Sequence, residues 1–210
     1  MKTDDLIEAL AAGLEPARPA RIHPLWVAGA FGAAAVGVML LLGLRPDLPA
    51  ALTGPVFWLK ALYSAAMAGA ALVLVSRLGR PAVSAHRALQ GLLLVIGAAL
   101  LFAGIELALT PVADWSRSWL GLTWSYCARN ILLVSVFAAP LIWLGARPLA
   151  PTRPMASGAA LGLLTGAIAA TAYGLHCPEA TAPFVVTWYT LGMALAAGIG
   201  AAVGRFALRW

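Results

Sequence analysis

Six long apolar stretches constrain this chain more than any other feature of its sequence. They cover residues 25–44, 55–76, 89–109, 128–145, 157–175 and 184–204. A bilayer core about 30 Å thick needs roughly 20 apolar residues per helix, so each stretch is long enough to cross a membrane. Of the 210 residues, 62% are hydrophobic and 10% are charged, which excludes an ordinary soluble domain. The sequence predicts an all-α, polytopic membrane protein with six transmembrane helices.

The basic residues predict how these spans are oriented. The chain has a net charge of +6, and its basic residues are spread over short loops and helix ends, so they form no nucleic-acid-binding patch. Cytoplasmic loops of membrane proteins carry an excess of Lys and Arg. This rule predicts that both termini lie in the cytoplasm. Most basic residues then lie inside: Lys2, Arg18, Arg21, Arg77, Arg80, Arg87, Arg147, Arg153, Arg205 and Arg209.

Residues 1–15 form a short acidic segment that differs from the apolar body. Thr3 is a plausible N-cap, and the carboxylates that follow complement the dipole of a helix. Leucines recur every fourth residue, which gives one apolar stripe opposite an acidic face. The stripe could lie on lipid, but such helices usually carry basic polar faces, so a protein partner is favoured. The predicted contact residues are Asp4, Asp5, Leu6, Ile7, Glu8, Leu10 and Leu14.

A proline-rich stretch separates this segment from the first span. Pro16, Pro19 and Pro24 break any helix, so residues 16–24 are predicted to be a semi-extended linker with a reach of up to roughly 30 Å. The predicted organisation is therefore a cytoplasmic partner-binding helix at 1–15, a linker at 16–24 and a transmembrane sensor domain at 25–210.

Small residues predict how the last two spans pack. Gly158, Gly162 and Gly166 share one face of the fifth span. The sixth span has a matching series at the same four-residue spacing, which lets helix backbones approach closely. We expect a tight hairpin of these two helices. The series in the sixth span is Gly192, Ala196, Gly200 and Gly204.

Three ionisable residues lie at a similar depth near the outer side of the membrane. They are Lys60 in the second span, Glu106 in the third and Arg129 in the fourth. Charges inside a bilayer are costly unless they are paired or can snorkel to the interface. Glu106 is therefore a candidate ion-pair partner of Lys60 or Arg129, with plain snorkelling as the alternative.

The two cysteines are also expected on the outer, oxidising side. Cys127 precedes the fourth span, and Cys177 lies in the loop between the fifth and sixth beside His176 and Glu179. They could form a disulfide that clamps the fourth helix to the last hairpin. As free thiols they could bind a soft metal transiently or react with an oxidant, with His176 or Arg129 favouring the thiolate. Two small apolar side chains without a function remain the alternative.

Several short motifs resemble one known family. The chain begins with MKTDDLIEAL and continues in order with the segments 45–47, 57–60, 124–127, 150–154, 176–179, 188–189 and 208–210. Together they are similar to the NrsF family of six-span bacterial anti-sigma factors. This resemblance covers the whole chain.

The resemblance implies a function. The tail would sequester an extracytoplasmic-function sigma factor of the sigma-F type, and Cys127 and Cys177 would match the family's paired sensing cysteines, which respond to thiol-reactive, redox or soft-metal stress. We therefore predict no enzyme activity, no catalytic residues and no cofactor. A small transporter and a membrane thiol oxidoreductase remain alternatives, although the sequence lacks the mid-membrane acids and the C-x-x-C that these would use.

Overall fold

The computed structural model describes residues 3–12, 21–80 and 83–208. These ranges contain helices and no strand. The first half comprises α1 (Thr3–Ala11), α2 (Pro24–Leu41), α3 (Leu48–Thr53), α4 (Pro55–Leu78) and α5 (His86–Leu109). After a 3-10 turn at Val112–Asp114 follow α6 (Trp115–Leu120), α7 (Trp124–Gly145), α8 (Pro154–Tyr173) and α9 (Ala182–Phe184). A π-helical turn at Val185–Tyr189 then joins α9 to α10 (Thr190–Ala207).

Six of these helical stretches are long and apolar enough to cross a membrane. They are α2, α4, α5, α7, α8 and the continuous α9–α10 unit, so the predicted all-α polytopic bundle is confirmed. Pro24, Pro55 and Pro154 begin three of the spans, because the first turn of a helix does not use the missing N–H of proline. The fourth span starts at Trp124, one turn earlier than the sequence pattern predicted.

Helix α8 lies at the centre of the bundle. Inside the protein, 78% of its span is buried, against 11% of the span of α5 at the periphery. Helix α8 packs on α2, α4, α7 and α10, whereas α5 packs mainly on α4 and α9. Its small residues allow this central position, since several neighbours must approach its backbone at once.

The tight hairpin of α8 and α10 is confirmed. A Cβ atom added at Gly158 would fall on the carbonyl of Gly200, and one added at Gly162 would fall on the carbonyl of Ala196. No real Cβ atom tolerates either approach. The helix backbones are therefore in direct contact, and these positions require glycine.

The connections between spans gather at two ends of the bundle. We call the end with residues 21–24, 79–80, 83–86, 146–153 and 208 the tail end. The other end carries residues 42–54, 110–123 and 174–181, and we call it the cysteine end. Short helices α3 and α6, which the sequence pattern did not predict, lie at the cysteine end. The Trp119 indole there donates to the Thr187 hydroxyl (3.0 Å), as is usual for tryptophan near a membrane interface.

Candidate functional site

The loop between α8 and α9 brings Cys177 to the core of the cysteine end. Pro178 prevents the helix from continuing, and the amides of His176 and Cys177 both donate to the Tyr173 carbonyl, which turns the chain back on itself. Cys127 lies in the first turn of α7. Both cysteines are free and fully buried.

The two thiols interact with each other. Cys127 is the largest single influence on the pKa of Cys177, and no disulfide joins the two residues. Because neither sulfur is exposed, the surrounding side chains must move before a reagent can reach them. In this structure the contact between α7 and the loop is non-covalent.

Lys60 is a buried cation that binds the Cys177 loop. It is only 4% exposed, and its Nζ donates to the carbonyls of Cys177 (2.9 Å) and Glu179 (2.6 Å). The Arg45 guanidinium donates to the same Cys177 carbonyl at 3.3 Å. A buried ammonium group needs such acceptors to offset its loss of water. Lys60 therefore holds the loop in place through backbone groups on both sides of Pro178.

The predicted ion pair of Glu106 with Lys60 or Arg129 is wrong. Glu106 instead accepts a hydrogen bond from the Ala182 amide at 3.0 Å, at the start of α9. The Arg129 guanidinium lies over the Tyr126 ring, 5.7 Å from its centroid. Among the described residues a salt bridge joins Arg45 and Asp47 at 2.6 Å. Backbone groups of the loop have taken the place of the expected charged partners.

Glu179 and His176 anchor the loop through hydrogen bonds. One carboxylate oxygen of Glu179 accepts from the amides of Leu122 and Thr123, at 2.7 and 2.9 Å, and from the Thr123 hydroxyl. These amides lie just before α7, so Glu179 ties the Cys177 loop to the helix that carries Cys127. His176 Nδ1 is 2.9 Å from the Gly43 carbonyl and therefore carries the proton as donor.

The surroundings of Cys177 favour its thiolate. The hydrogen bond from Cys127 is the largest of the effects that lower the pKa of Cys177, and burial opposes it. The charge of Lys60 and the amide of Glu179 lower this pKa further. The thiolate is the nucleophilic form of cysteine. The lowered pKa therefore favours the nucleophilic form at Cys177.

The described residues contain no group of three or more His, Cys, Asp or Glu side chains that could hold a metal. A closed structural zinc site ordinarily uses four ligands, whereas this site offers two thiols. His176 and Glu179 are both committed to other hydrogen bonds.

The tail helix α1 presents its apolar stripe to the outside. Leu6 is 41% exposed, Ile7 60% and Leu10 67%. Asp4 and Asp5 lie in the first turn, where their charges stabilise the helix. Leu14 and residues 16–20 of the predicted linker lie outside the described residues.

A protein family and two full-length relatives match this chain. The family described as "NrsF: Negative regulator of sigma F" matches residues 10–210. The chain belongs to this family. An "Anti-sigma-F factor NrsF" of Caulobacter vibrioides (strain NA1000 / CB15N) is 43% identical over 222 residues, and all of both chains is covered. A "Probable anti-sigma-F factor NrsF" of Azospira oryzae (strain ATCC BAA-33 / DSM 13638 / PS) is 37% identical over 213 residues, again over all of both chains. No solved structure matches.

The sequence patterns of this NrsF-family chain did not predict two buried tyrosines at the cysteine end, Tyr173 and Tyr189. Tyr173 ends α8 and Tyr189 ends the π-helical turn, and both side chains are fully buried. The two tyrosine rings are 5.8 Å apart. A signal was present, since both tyrosines place a polar hydroxyl inside otherwise apolar spans.

Proposed function

We propose that this chain is a membrane-bound anti-sigma factor that holds an extracytoplasmic-function sigma factor of the sigma-F type. Membership of the NrsF family supports negative regulation of a sigma factor. The exposed stripe of Leu6, Ile7 and Leu10 on α1 carries the proposal for where the partner binds. The positive-inside rule favours an inner-membrane protein with both termini in the cytoplasm, where α1 can reach the sigma factor.

Capture requires binding and no catalysis. An amphipathic helix binds by laying its apolar side chains in a groove of the partner, and each side chain buried contributes about 1.5–3 kcal/mol. Asp4, Asp5 and Glu8 would meet basic residues on the surface that the sigma factor uses for nucleic acid. Bound in this way, the sigma factor is kept away from RNA polymerase and promoter DNA.

Release is proposed to start at Cys127 and Cys177. A two-electron oxidant would accept two hydrogen atoms and join the sulfurs as a disulfide, whereas an electrophile or soft metal would add to the Cys177 thiolate. Each change alters a fully buried contact, so the loop and the ends of α7 and α8 must repack. Such a change can release the partner only if the repacked bundle holds the tail in a state of lower affinity.

A pull-down of the sigma factor on the purified full-length chain tests the tail. The variant L6D/L10D is expected to lose capture by at least a hundredfold, because it places charges within the apolar contact. Ala12→Asp is the matched control, since it adds a charge at an exposed position beside the acidic face. Undiminished capture by L6D/L10D would sink this assignment.

A sigma-dependent reporter tests the cysteines. In strains carrying Cys127→Ser or Cys177→Ser, thiol-reactive stress is expected to leave the reporter uninduced, while basal repression remains. Normal induction in both strains would remove the cysteines from the signalling step. Loss of basal repression would show instead that the serine variants fail to hold the sigma factor.

A further inference from the structure

A cavity of about 870 Å³ opens at the tail end, between the α4–α5 corner and helices α8 and α10. It exists because α5 packs on α4 and, towards the cysteine end, on α9, which leaves a gap beside α8 at the tail end. This cavity takes no part in the proposed roles of α1 or the cysteines.

The mouth of the cavity is basic. Arg80 follows the end of α4, His86 begins α5, and Arg153 precedes α8, so all three lie at the level where the spans end. The lining contains no acidic side chain. Phosphate groups of lipids occupy this depth of a bilayer.

The side chain of Arg80 gives more specific support for an anion at the mouth of the cavity. Its Nε is buried and has no hydrogen-bond partner among the described residues. A buried donor without a partner is costly and rare, and it indicates an acceptor that the described part of the chain does not supply. An anionic oxygen at the mouth of the cavity would provide that acceptor.

The interior of the cavity is apolar. Leu74, Leu92 and Leu163 line its wall, and Ala197 lies at its deep end. Ala197 is ten residues from the end of α10 at Ala207, which corresponds to about 15 Å along the helix axis. A basic mouth followed by a deep apolar wall matches the two parts of a phospholipid.

We propose that this cavity binds one anionic phospholipid, with its phosphate between Arg80 and Arg153 and an acyl chain along α8 and α10. An anionic headgroup fits better than a zwitterionic one, because the lining offers no carboxylate to a choline or ethanolamine ammonium group. A bound lipid fills the gap between α5 and α8 and so stabilises the tail end of the bundle.

Native mass spectrometry of the full-length chain in detergent tests this site with two probes, phosphatidylglycerol and phosphatidylcholine. The native chain is expected to retain phosphatidylglycerol preferentially. The variant R80Q/R153Q is expected to lower this retention about tenfold, since each basic residue near the headgroup contributes on the order of a few-fold. R117Q/R129Q, which removes two arginines at the cysteine end, is the matched control and should retain the lipid.

Equal retention of both lipids, or unchanged retention by R80Q/R153Q, would overturn the proposal. Displacement of phosphatidylglycerol by millimolar inorganic phosphate would also overturn it, since the site would then recognise a free anion. R80K/R153K keeps both charges and should restore most of the retention. If R80Q/R153Q does not fold, R153Q alone changes an exposed residue and should still lower retention about threefold.

Discussion

The tail helix α1 and the cluster around Cys127, Cys177 and Lys60 differ in which kind of side chain they expose and which they bury. Helix α1 exposes apolar side chains, of which Ile7 is 60% and Leu10 67% accessible, and these gain stability only from a partner. The cluster instead buries polar groups, and Lys60 there has its acceptors supplied by the chain itself. An exposed apolar stripe is suited to reversible capture. A closed polar cluster is shielded from reagents until the packing around it opens.

The two regions also depend differently on the bundle. The cluster exists only where α4, α7 and the loop at 174–181 meet, whereas α1 is built from nine consecutive residues. Damage to packing should therefore affect the cluster and spare the tail. Four substitutions test this difference, and a fifth measurement joins the two regions.

Gly162→Ala should have the largest effect, because the new Cβ would fall on the backbone of Ala196. We expect a loss of about 3 kcal/mol or more in the free energy of unfolding, measured by thermal unfolding in detergent. Gly198→Ala is the matched control, since nothing lies within 4 Å of its Cβ position. Equal melting temperatures for the two variants would contradict direct backbone contact of α8 and α10.

Lys60→Met should destabilise the cysteine end by about 2–3 kcal/mol. It keeps the apolar stem but leaves the carbonyls of Cys177 and Glu179 without their shared donor. Arg117→Met, at an exposed position of the same end, should leave the unfolding curve unchanged. If Lys60→Met unfolds at the native temperature, Lys60 does not hold the loop.

Glu179→Gln should cost about 1–2 kcal/mol. The amide keeps an acceptor oxygen but loses the negative charge that three donors near Thr123 now share. Glu8→Gln is the tail counterpart and should not change the unfolding temperature. A loss in the tail variant as large as in Glu179→Gln would remove the contrast between the two regions.

The smallest expected effect is a shift in the pH dependence of Cys177 alkylation. Because the pKa of Cys177 is lowered, its thiolate persists to lower pH. The pH at which its alkylation rate is half-maximal should therefore lie below the usual thiol pKa of about 8.5. Cys127→Ala removes the leading hydrogen bond, so the midpoint of the alkylation rate of Cys177 should move to higher pH. The midpoint is the informative quantity, since opening of the buried site limits the absolute rate. An unchanged midpoint would contradict the interaction between the thiols.

The helices and their closest contact could be predicted because both follow from local patterns. Apolar runs of span length gave the six crossings, and glycines at four-residue spacing gave the contact of Gly158 and Gly162 with α10. These signals lie within single helices, so no knowledge of the loops was needed.

The site was less predictable because a loop builds it. A similar depth in the membrane made Glu106 a candidate ion-pair partner of Lys60 or Arg129, with snorkelling as the alternative. Lys60 and Glu106 instead both bind backbone groups of residues 177–182. Nothing in helical periodicity encodes where a loop places its carbonyls. The π-helical turn that carries Tyr189 to Cys177 is likewise a local change of register with no pattern in the sequence.

One measurement tests directly whether the cysteine cluster controls partner binding by the tail helix. It is the affinity of the full-length chain in nanodiscs for its sigma factor, measured before and after oxidation with diamide. The account predicts tight binding by the reduced chain, release on oxidation, and unchanged binding by oxidised Cys127→Ser and Cys177→Ser chains. Equal affinity of the native chain in its reduced and oxidised states would contradict the claim that the buried thiols control the tail.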